Sequence, residues 1–230
     1  MSNLTKKQKI IQEKHDPEKT YSLEEAMDII QSVKSEKFDE SIDISVKLGV
    51  DPDKSDQNVR GAVTLPNSLG KEVKIAVFAD GDHASDAQTA GAEYVGMDDL
   101  AEKFQKNEVN VDVVISTNSA MKVVGKLGQV LGPKGLMPNP KTGTVSDDVV
   151  TAIKNVKAGQ VRFRTDKNGI IHGSIGKVSF DAEKLQSNAT ALLDEIKKLK
   201  PASAKGVYIG NIALSSTMGP GIKINSAELV

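Results

Sequence analysis

The 230-residue chain has no cysteine and no tryptophan. Without cysteine there is no disulfide, no thiolate nucleophile and no cysteine-ligated zinc or iron–sulfur cluster. Aromatic residues make up only 3%, which argues against a platform of exposed rings for stacking bases. His15, His83 and His172 are the only histidines, and they match no zinc spacing such as H-E-x-x-H. No run of about 18 apolar residues occurs, so no membrane span is expected. The opening "MSNLTKKQKI" lacks an apolar signal-peptide core, and a cytoplasmic protein is the expectation. No G-x-x-x-x-G-K-[ST] is present and no G-x-G-x-x-G follows an apolar strand, which argues against a nucleotide-dependent enzyme. Neither a cofactor nor a catalytic activity is expected.

The net charge is only −1, so total charge does not advertise a polyanion partner. Its distribution is uneven: −3 over residues 1–67, −2 over 68–157 and +4 over 158–230. A local excess steers a polyanion more effectively than the total does, although mixed surface charge explains it equally well.

Apolar periodicity changes character twice along the chain. "YSLEEAMDIIQSVK" predicts a helix, with Ser22 and Glu25 at capping-box spacing and Leu23, Ala26, Ile30 and Val33 at helical intervals. "SIDISVKLGV" alternates strictly, as a half-buried strand does, and "NVRGAVTL" is a second strand. From "KIAVFA" onward, wholly apolar strands alternate with helices over 83–91, 98–106, 119–131 and 147–156, the pattern of a parallel sheet covered on both faces. After "KAGQ" the alternation stops. "VRFRTDKNGIIHGSIGKVSF" predicts a hairpin around Asn168-Gly169, residues 181–199 an amphipathic helix, and "GVYIGNIALSS" and "GIKIN" two strands.

The first fragment is too small to bury a core alone. The expected architecture is therefore mixed, α/β and α+β, in two domains. Residues 1–69 and 158–230 form a discontinuous, open-faced α+β domain, and residues 70–157 form an inserted three-layer Rossmann-like α/β domain. Two short glycine-bearing crossings permit a hinge between them.

Several local clusters admit a bland reading. Asp80, Asp82, His83 and Asp86 sit at a strand's carboxyl end, where an oxygen-ligated ion is possible but helix capping suffices. "SAMK" and "KTG" match two elements of penicillin-recognising enzymes, but the third, S-D-N, is absent. The loop "GPKGLMPNPKTG" is stiffened by prolines and is either a rigid structural loop or a phosphate-contacting one, through Lys134 and Lys141. Arg164 and Lys167 lie on the basic hairpin, with His172 and Ser174 two residues apart on one strand face. Most distinctive is "SSTMGPGIKIN", where Ser216, Thr217, Met218, Gly219 and Gly221 cluster hydroxyls, glycines and one flexible apolar side chain ahead of a strand. Hydroxyls and bare amides suit phosphate oxygens and ribose 2′-OH groups, so folded RNA is the ligand class this text favours.

Three segments, "KFDESIDISVKLGVDP", "GPKGLMPNPKTGTV" and "SSTMGPGIKI", together resemble the L-one family of large-subunit ribosomal proteins, bacterial type. The resemblance runs in order along essentially the whole chain. It implies a protein of the mobile stalk beside the tRNA exit site, with the discontinuous domain gripping folded large-subunit rRNA. It implies RNA contacts at Lys37, Phe38, Glu40 and Ser41 and at Thr217, Met218 and Gly219, with a contribution near His172 and Ser174. A secondary contact loop would comprise Gly132, Lys134, Gly135, Met137 and Lys141. It further implies assisted release of deacylated tRNA and translational repression by binding its own mRNA. The implied protein is monomeric when free of the ribosome and lies in the cytoplasm within the large subunit. Two features depart from the family's habit: the chain is not clearly basic, and Ser41 stands where threonine is common.

Overall fold

The computed structural model describes residues 6–34, 38–70, 72–106 and 108–225. The architecture is mixed α/β, and the chain divides into two compact units, residues 1–69 with 161–230, and residues 70–160.

In the first unit, helix α1 (Lys6–Lys14) precedes α2 (Leu23–Val33). The start of α2 is fixed by the reciprocal capping box: the Glu25 N–H donates to Ser22 Oγ at 3.1 Å and the Ser22 N–H donates to Glu25 Oε2 at 3.2 Å. Strand β1 (Ser41–Leu48) alternates as its sequence does, with Ile42, Ile44, Val46 and Leu48 buried. It is central in a four-stranded sheet of order β7-β1-β8-β9, with β7 at Ile170–Lys177, β8 at Ile209–Ser216 and β9 at Gly221–Ile224. All three pairings are antiparallel. Beyond β9, Tyr21 adds a short bridge to Ile224. Residues from both ends of the chain thus share one sheet.

One sheet face is covered. Helix α2 and the long α8 (Ala182–Lys198) bury Met27, Ile30, Leu185, Leu192, Leu193 and Ile196 against Ile44, Ile171, Ile175, Ile212 and Leu214. Against this core lies a polar residue, Asn188, fully buried on α8. Its Oδ1 accepts the Asn67 N–H at 3.0 Å, and its Nδ2 donates to Asn67 O at 3.0 Å and Ile175 O at 2.7 Å. All of its hydrogen-bonding capacity at that depth is engaged, the condition under which a buried amide is tolerated.

The predicted hairpin is corrected. Strands β6 (Gln160–Arg164) and β7 do not form a ladder with each other; β6 pairs with β2 (Arg60–Thr64) in a separate two-stranded sheet, while β7 pairs with β1. Only one bridge, Thr165 with Ile171, survives of the hairpin. The turn itself is present: Gly169 takes φ +75°, and its N–H donates to Asp166 O at 3.2 Å. Immediately after β6, Thr165 Oγ1 and N–H both donate to Val59 O, at 2.9 Å each, tying this end of the strand to the segment before β2.

In the second unit, β3 (Ile75–Phe78) lies between β4 (Tyr94–Gly96) and β5 (Val113–Ser116), all parallel. Both faces of this sheet are covered. On one, α4 (Asp98–Gln105) and α5 (Met121–Lys126) bring Leu100, Phe104 and Val124 onto Ala76, Phe78 and Val114. On the other, α3 (Gly81–Thr89) and α7 (Val149–Lys157) bring Ala87, Ile153 and Val156 onto Ile75, Val77 and Ile115. The helix expected over 119–131 is broken at Leu127 into α5 and α6 (Gly128–Leu131), where Leu127 leaves helical geometry between Gly125 and Gly128. Asp80 occupies the N-cap position of α3 without a side-chain hydrogen bond, so its charge acts only through the helix dipole. Among the described residues no group of side chains is arranged to hold a metal ion, and no helix is long and apolar enough to cross a membrane.

Candidate nucleic-acid interface

The uncovered face of the four-stranded sheet follows from strand parity. On β1 the outward positions are Ser41, Asp43, Ser45 and Lys47. Register puts Ser45 opposite His172 and Ala213, and Asp43 opposite Ser174 and Ser215. Across β8, Ser215 pairs with Gly221 and Ala213 with Lys223. The face is therefore small, polar and bare, with no large apolar side chain at its centre.

At one end of β1 this face meets a stitched junction. The turn after β8 closes with the Gly219 N–H donating to Ser216 O at 3.1 Å. Thr217 zips onto the chain before β1: its Oγ1 accepts the Ser41 N–H at 3.1 Å and its N–H donates to Ser41 O at 3.1 Å. The Met218 N–H donates to Glu40 Oε2 at 3.2 Å. One residue earlier, Asp39 accepts the Ser179 N–H at 3.2 Å and the Ser179 hydroxyl at 2.8 Å. Residues 39–41 are thus held between the end of β7 and the 216–219 turn, although 176 residues separate Ser41 from Thr217 in the chain. Phe38 and Met218 flank this junction in sequence and remain 49% and 61% exposed, as side chains able to cover a sugar or base edge.

Two anticipated contact residues have a different position. Glu40 is only 1% exposed and Ser216 only 5%. Glu40 shares the inward parity of Ile42 and Ile44, and Ser216 that of Ile212 and Leu214, so each side chain points into the protein. Glu40 supports the turn through Met218, and Ser216 packs beneath Gly219, where an added Cβ would collide with the Ser216 Oγ. Ser174 is half-buried and donates to Ile42 O at 3.3 Å. Arg164 is exposed on β6, in the other sheet, and is not on the His172 ladder; Lys167 is exposed in the turn before β7. Gly221 is open, with nothing near an added Cβ. Lys37 lies outside the described residues.

The proline-rich loop belongs to the second unit. Gly132, Lys134, Gly135 and Lys141 are exposed, while Met137 is half-buried against the cluster that contains Phe78 and Phe104. Asn139 organises the loop: its N–H donates to the buried Thr144 Oγ1 at 2.8 Å, and its Oδ1 accepts the Lys141 N–H at 2.9 Å. The loop then rejoins the β5 edge through the Ser116 N–H and Thr144 O at 3.0 Å.

Sequence reasoning missed Asp39, Ser45, Asp166 and Ser179. Ser45 was legible, since the alternation of β1 puts it outward with Ser41 and Lys47. Asp39 and Ser179 meet across 140 residues, and no local pattern carries that.

Comparison with known proteins gives a single answer. Residues 30–220 match the model of the Ribosomal protein L1p/L10e family. The chain is 58% identical over 229 residues to a protein of Methylococcus capsulatus named large ribosomal subunit protein uL1, spanning 100% of this chain and 99% of that one. It is 57% identical, with the same coverage, to the protein of that name from Saccharophagus degradans, and 58% identical to the one from Pseudomonas aeruginosa PAO1, again with 100% and 99% covered.

Proposed function

From the premise that this chain belongs to the Ribosomal protein L1p/L10e family, we propose that it is a structural constituent of the large ribosomal subunit that binds large-subunit rRNA through the uncovered sheet face. The family is one of structural ribosomal proteins, not enzymes. The observation that carries the RNA reading is the junction of Glu40 and Ser41 with Thr217 and Met218. It joins the two segments whose text is most specific and leaves a rigid, bare edge beside an open polar face. Hydroxyls and backbone amides on such a face match phosphate oxygens and 2′-OH groups, which distinguish RNA from DNA.

The contacts are Phe38, Ser41, Thr217, Met218, Gly219, Gly221, His172 and Ser174, with Lys37, Arg164 and Lys167 supplying positive charge. Glu40 and Ser216 act from beneath. Residues 1–69 and 158–230 serve as the rRNA-binding domain, and the inserted 70–157 domain, with its loop at Gly132–Lys141, forms the moving part of a stalk near the tRNA exit site. In that place the protein assists departure of deacylated tRNA. Free of the ribosome it is a cytoplasmic monomer that represses translation by binding its own mRNA at a mimic of the rRNA site. With a net charge of −1, affinity rests on hydrogen bonds and shape more than on counterion release.

A gel shift with the stalk fragment of large-subunit rRNA, against an unrelated RNA of equal length, tests the reading. Selective binding of the stalk fragment with a shallow salt dependence is the expected outcome. Equal binding to both, or none, overturns it.

A further inference from the structure

We infer that the outer face of the two-stranded β2–β6 sheet is a second phosphate-binding strip, in which Arg60, Arg162 and Arg164 hold a stretch of RNA backbone separate from the one at the Thr217–Met218 junction. The inference rests on the RNA-binding reading above and adds to it a second contact surface and the group that it binds.

The chain has only three arginines, and all three lie on this pair of strands. Parity sets their facing. On β6, Val161 and Phe163 are buried, and Gln160, Arg162 and Arg164 take the alternate positions. On β2, a Cβ added to Gly61 would collide with Leu199 Cδ1 and come within 3.0 Å of Phe163 Cζ, so Gly61 faces the same way as Phe163. Arg60, Ala62 and Thr64 therefore share the opposite face with Arg162 and Arg164. Just outside the strands, Val59 O accepts the Thr165 N–H at 2.9 Å, and the Val59 N–H donates to Thr165 Oγ1 at 3.2 Å. With residue 59 beside 165 and 61 beside 163, Arg60 falls opposite Arg164. Arg164 is exposed, and Arg60 and Arg162 are half-buried. The face carries three positive charges, and its other positions, Ala62, Thr64 and Gln160, are uncharged.

This arrangement costs the free protein stability, because like charges directly opposite on paired strands repel. Among the described residues neither Arg60 nor Arg164 is paired with a carboxylate. The next acidic side chain after β6, Asp166, is committed elsewhere. Its Oδ1 accepts the N–H groups of Asn168 and Ile170, each at 2.8 Å. Its Oδ2 lies 3.5 Å from His172 Nε2, and His172 Nδ1 lies 3.2 Å from Ser45 Oγ. An anion laid across the strip relieves the repulsion that the protein leaves in place.

The choice of arginine identifies the anion. A guanidinium is a planar fork that grips two phosphate oxygens at once, whereas a lysine ammonium is a strongly hydrated point charge. Residues two apart on a strand lie about 7 Å from each other, close to the spacing of neighbouring phosphates on a ribonucleotide strand. Arg162 and Arg164 match successive phosphates, and Arg60 reinforces the second. The face has no aromatic ring for a base to stack on, so it binds backbone and does not read sequence. It also lacks the apolar centre that a stable contact between proteins buries. Phosphate contacts concentrated here are the counterion-releasing part of an interface held elsewhere by hydrogen bonds.

The test is a filter-binding titration of the full chain with the stalk rRNA fragment at increasing salt. It compares wild type with the double variants Arg60→Gln/Arg164→Gln and Arg60→Lys/Arg164→Lys. The glutamine variant should bind about ten- to a hundredfold more weakly at low salt, with the slope of log K against log salt flattened by about 1.4–1.8, the share of two phosphate contacts. The lysine variant should keep the wild-type slope and bind about threefold more weakly, for want of the forked grip. Phosphate-ethylation interference should lose one block of phosphates in the glutamine variant and keep the block that Thr217→Ala removes. Free of RNA at low ionic strength, the glutamine variant should melt no lower than wild type, because the repulsion between Arg60 and Arg164 is relieved. An unchanged affinity and slope in the glutamine variant, a lysine variant with the flattened slope, or interference blocks that coincide with those of Thr217→Ala overturns the inference while leaving RNA binding intact. Full rRNA affinity with loss of binding to large subunits makes the strip a protein contact and overturns it too. Failure of the wild type to bind the fragment at any salt concentration overturns the RNA reading, and this inference with it.

Discussion

Strand β3 is buried at every position from Ile75 to Phe78, whereas β1 buries alternate residues and leaves Asp43 and Lys47 exposed. The two units contain sheets built on opposite plans, one of three short parallel strands and one of four longer antiparallel strands. The parallel sheet of residues 70–160 needs crossover helices, and these cover both faces, so its strands are mostly apolar, with Ser116 a buried exception. The antiparallel sheet made from both chain ends has its helices on one side, and its other face is free to be polar, small-featured and flat. The proposed RNA-binding surface belongs to the second plan. It needs backbone within reach of the ligand, and a helix layer prevents that.

The largest effect that separates the units is a core deletion. Phe78→Ala in the doubly covered sheet should cost about 3–5 kcal/mol, as large-to-small changes in a filled core do. Thermal unfolding should show a lowered transition, while RNA affinity of the folded fraction stays at the wild-type value. A parallel loss of affinity would mean that the binding face depends on the inserted unit, and the contrast would fail.

Asn188→Ala strikes the polar tie buried in the one-faced unit. The Asn67 N–H and Ile175 O lose their partner, at a cost of about 2–3 kcal/mol for buried groups left unpaired. Denaturant titration should find that loss, and limited proteolysis should cut first near Asn67, where the chain leaves β2.

Glu40→Ala tests whether the interface is built from beneath. Loss of the carboxylate that receives the Met218 N–H should weaken rRNA binding by about 2 kcal/mol, a charged hydrogen bond's worth, and Glu40→Gln should recover most of it. The salt dependence should not change, because no phosphate contact is lost. A changed salt slope would make Glu40 a direct contact after all.

The smallest effect concerns the Tyr208 hydroxyl, which is buried without a hydrogen-bond partner among the described residues. Burial pushes its pKa up to about 12. An unfolded tyrosine ionises near pH 10, so stability is intact below about pH 10 and declines as pH rises from there toward 12, when only the unfolded chain releases the proton. Tyr208→Phe should raise stability at neutral pH by up to about 1 kcal/mol and remove this part of the alkaline loss. An unchanged alkaline limb would mean that the hydroxyl reaches solvent.

Much of this was legible in one dimension. The capping box at Ser22 and Glu25, the alternation of β1 and the apolar strands of the inserted unit are local patterns, and each formed where its period placed it. Parity even contained the burial of Glu40 and Ser216, which follow the inward residues of β1 and β8; Glu40 entered the expected contacts through the family resemblance and Ser216 through its hydroxyl-rich stretch. The hairpin at Asn168-Gly169 failed for a different reason. Its turn chemistry is local and formed, but the strands on either side of it take their ladder partners from β2 and β1, which are distant in the chain.

The sequence alone determined the periods, the turns, the absence of thiol chemistry and, through three long specific segments, the family. Those depend on neighbours a few residues apart and on composition. Only the tertiary structure decided that Ser41 meets Thr217, that Glu40 supports Met218 from below, and that Asp166, His172 and Ser45 form one line across a bare face. All of these contacts except that of Asp166 with His172 join residues more than a hundred positions apart. Their geometry is set by sheet register and by which face the helices cover, and no short window of sequence encodes either.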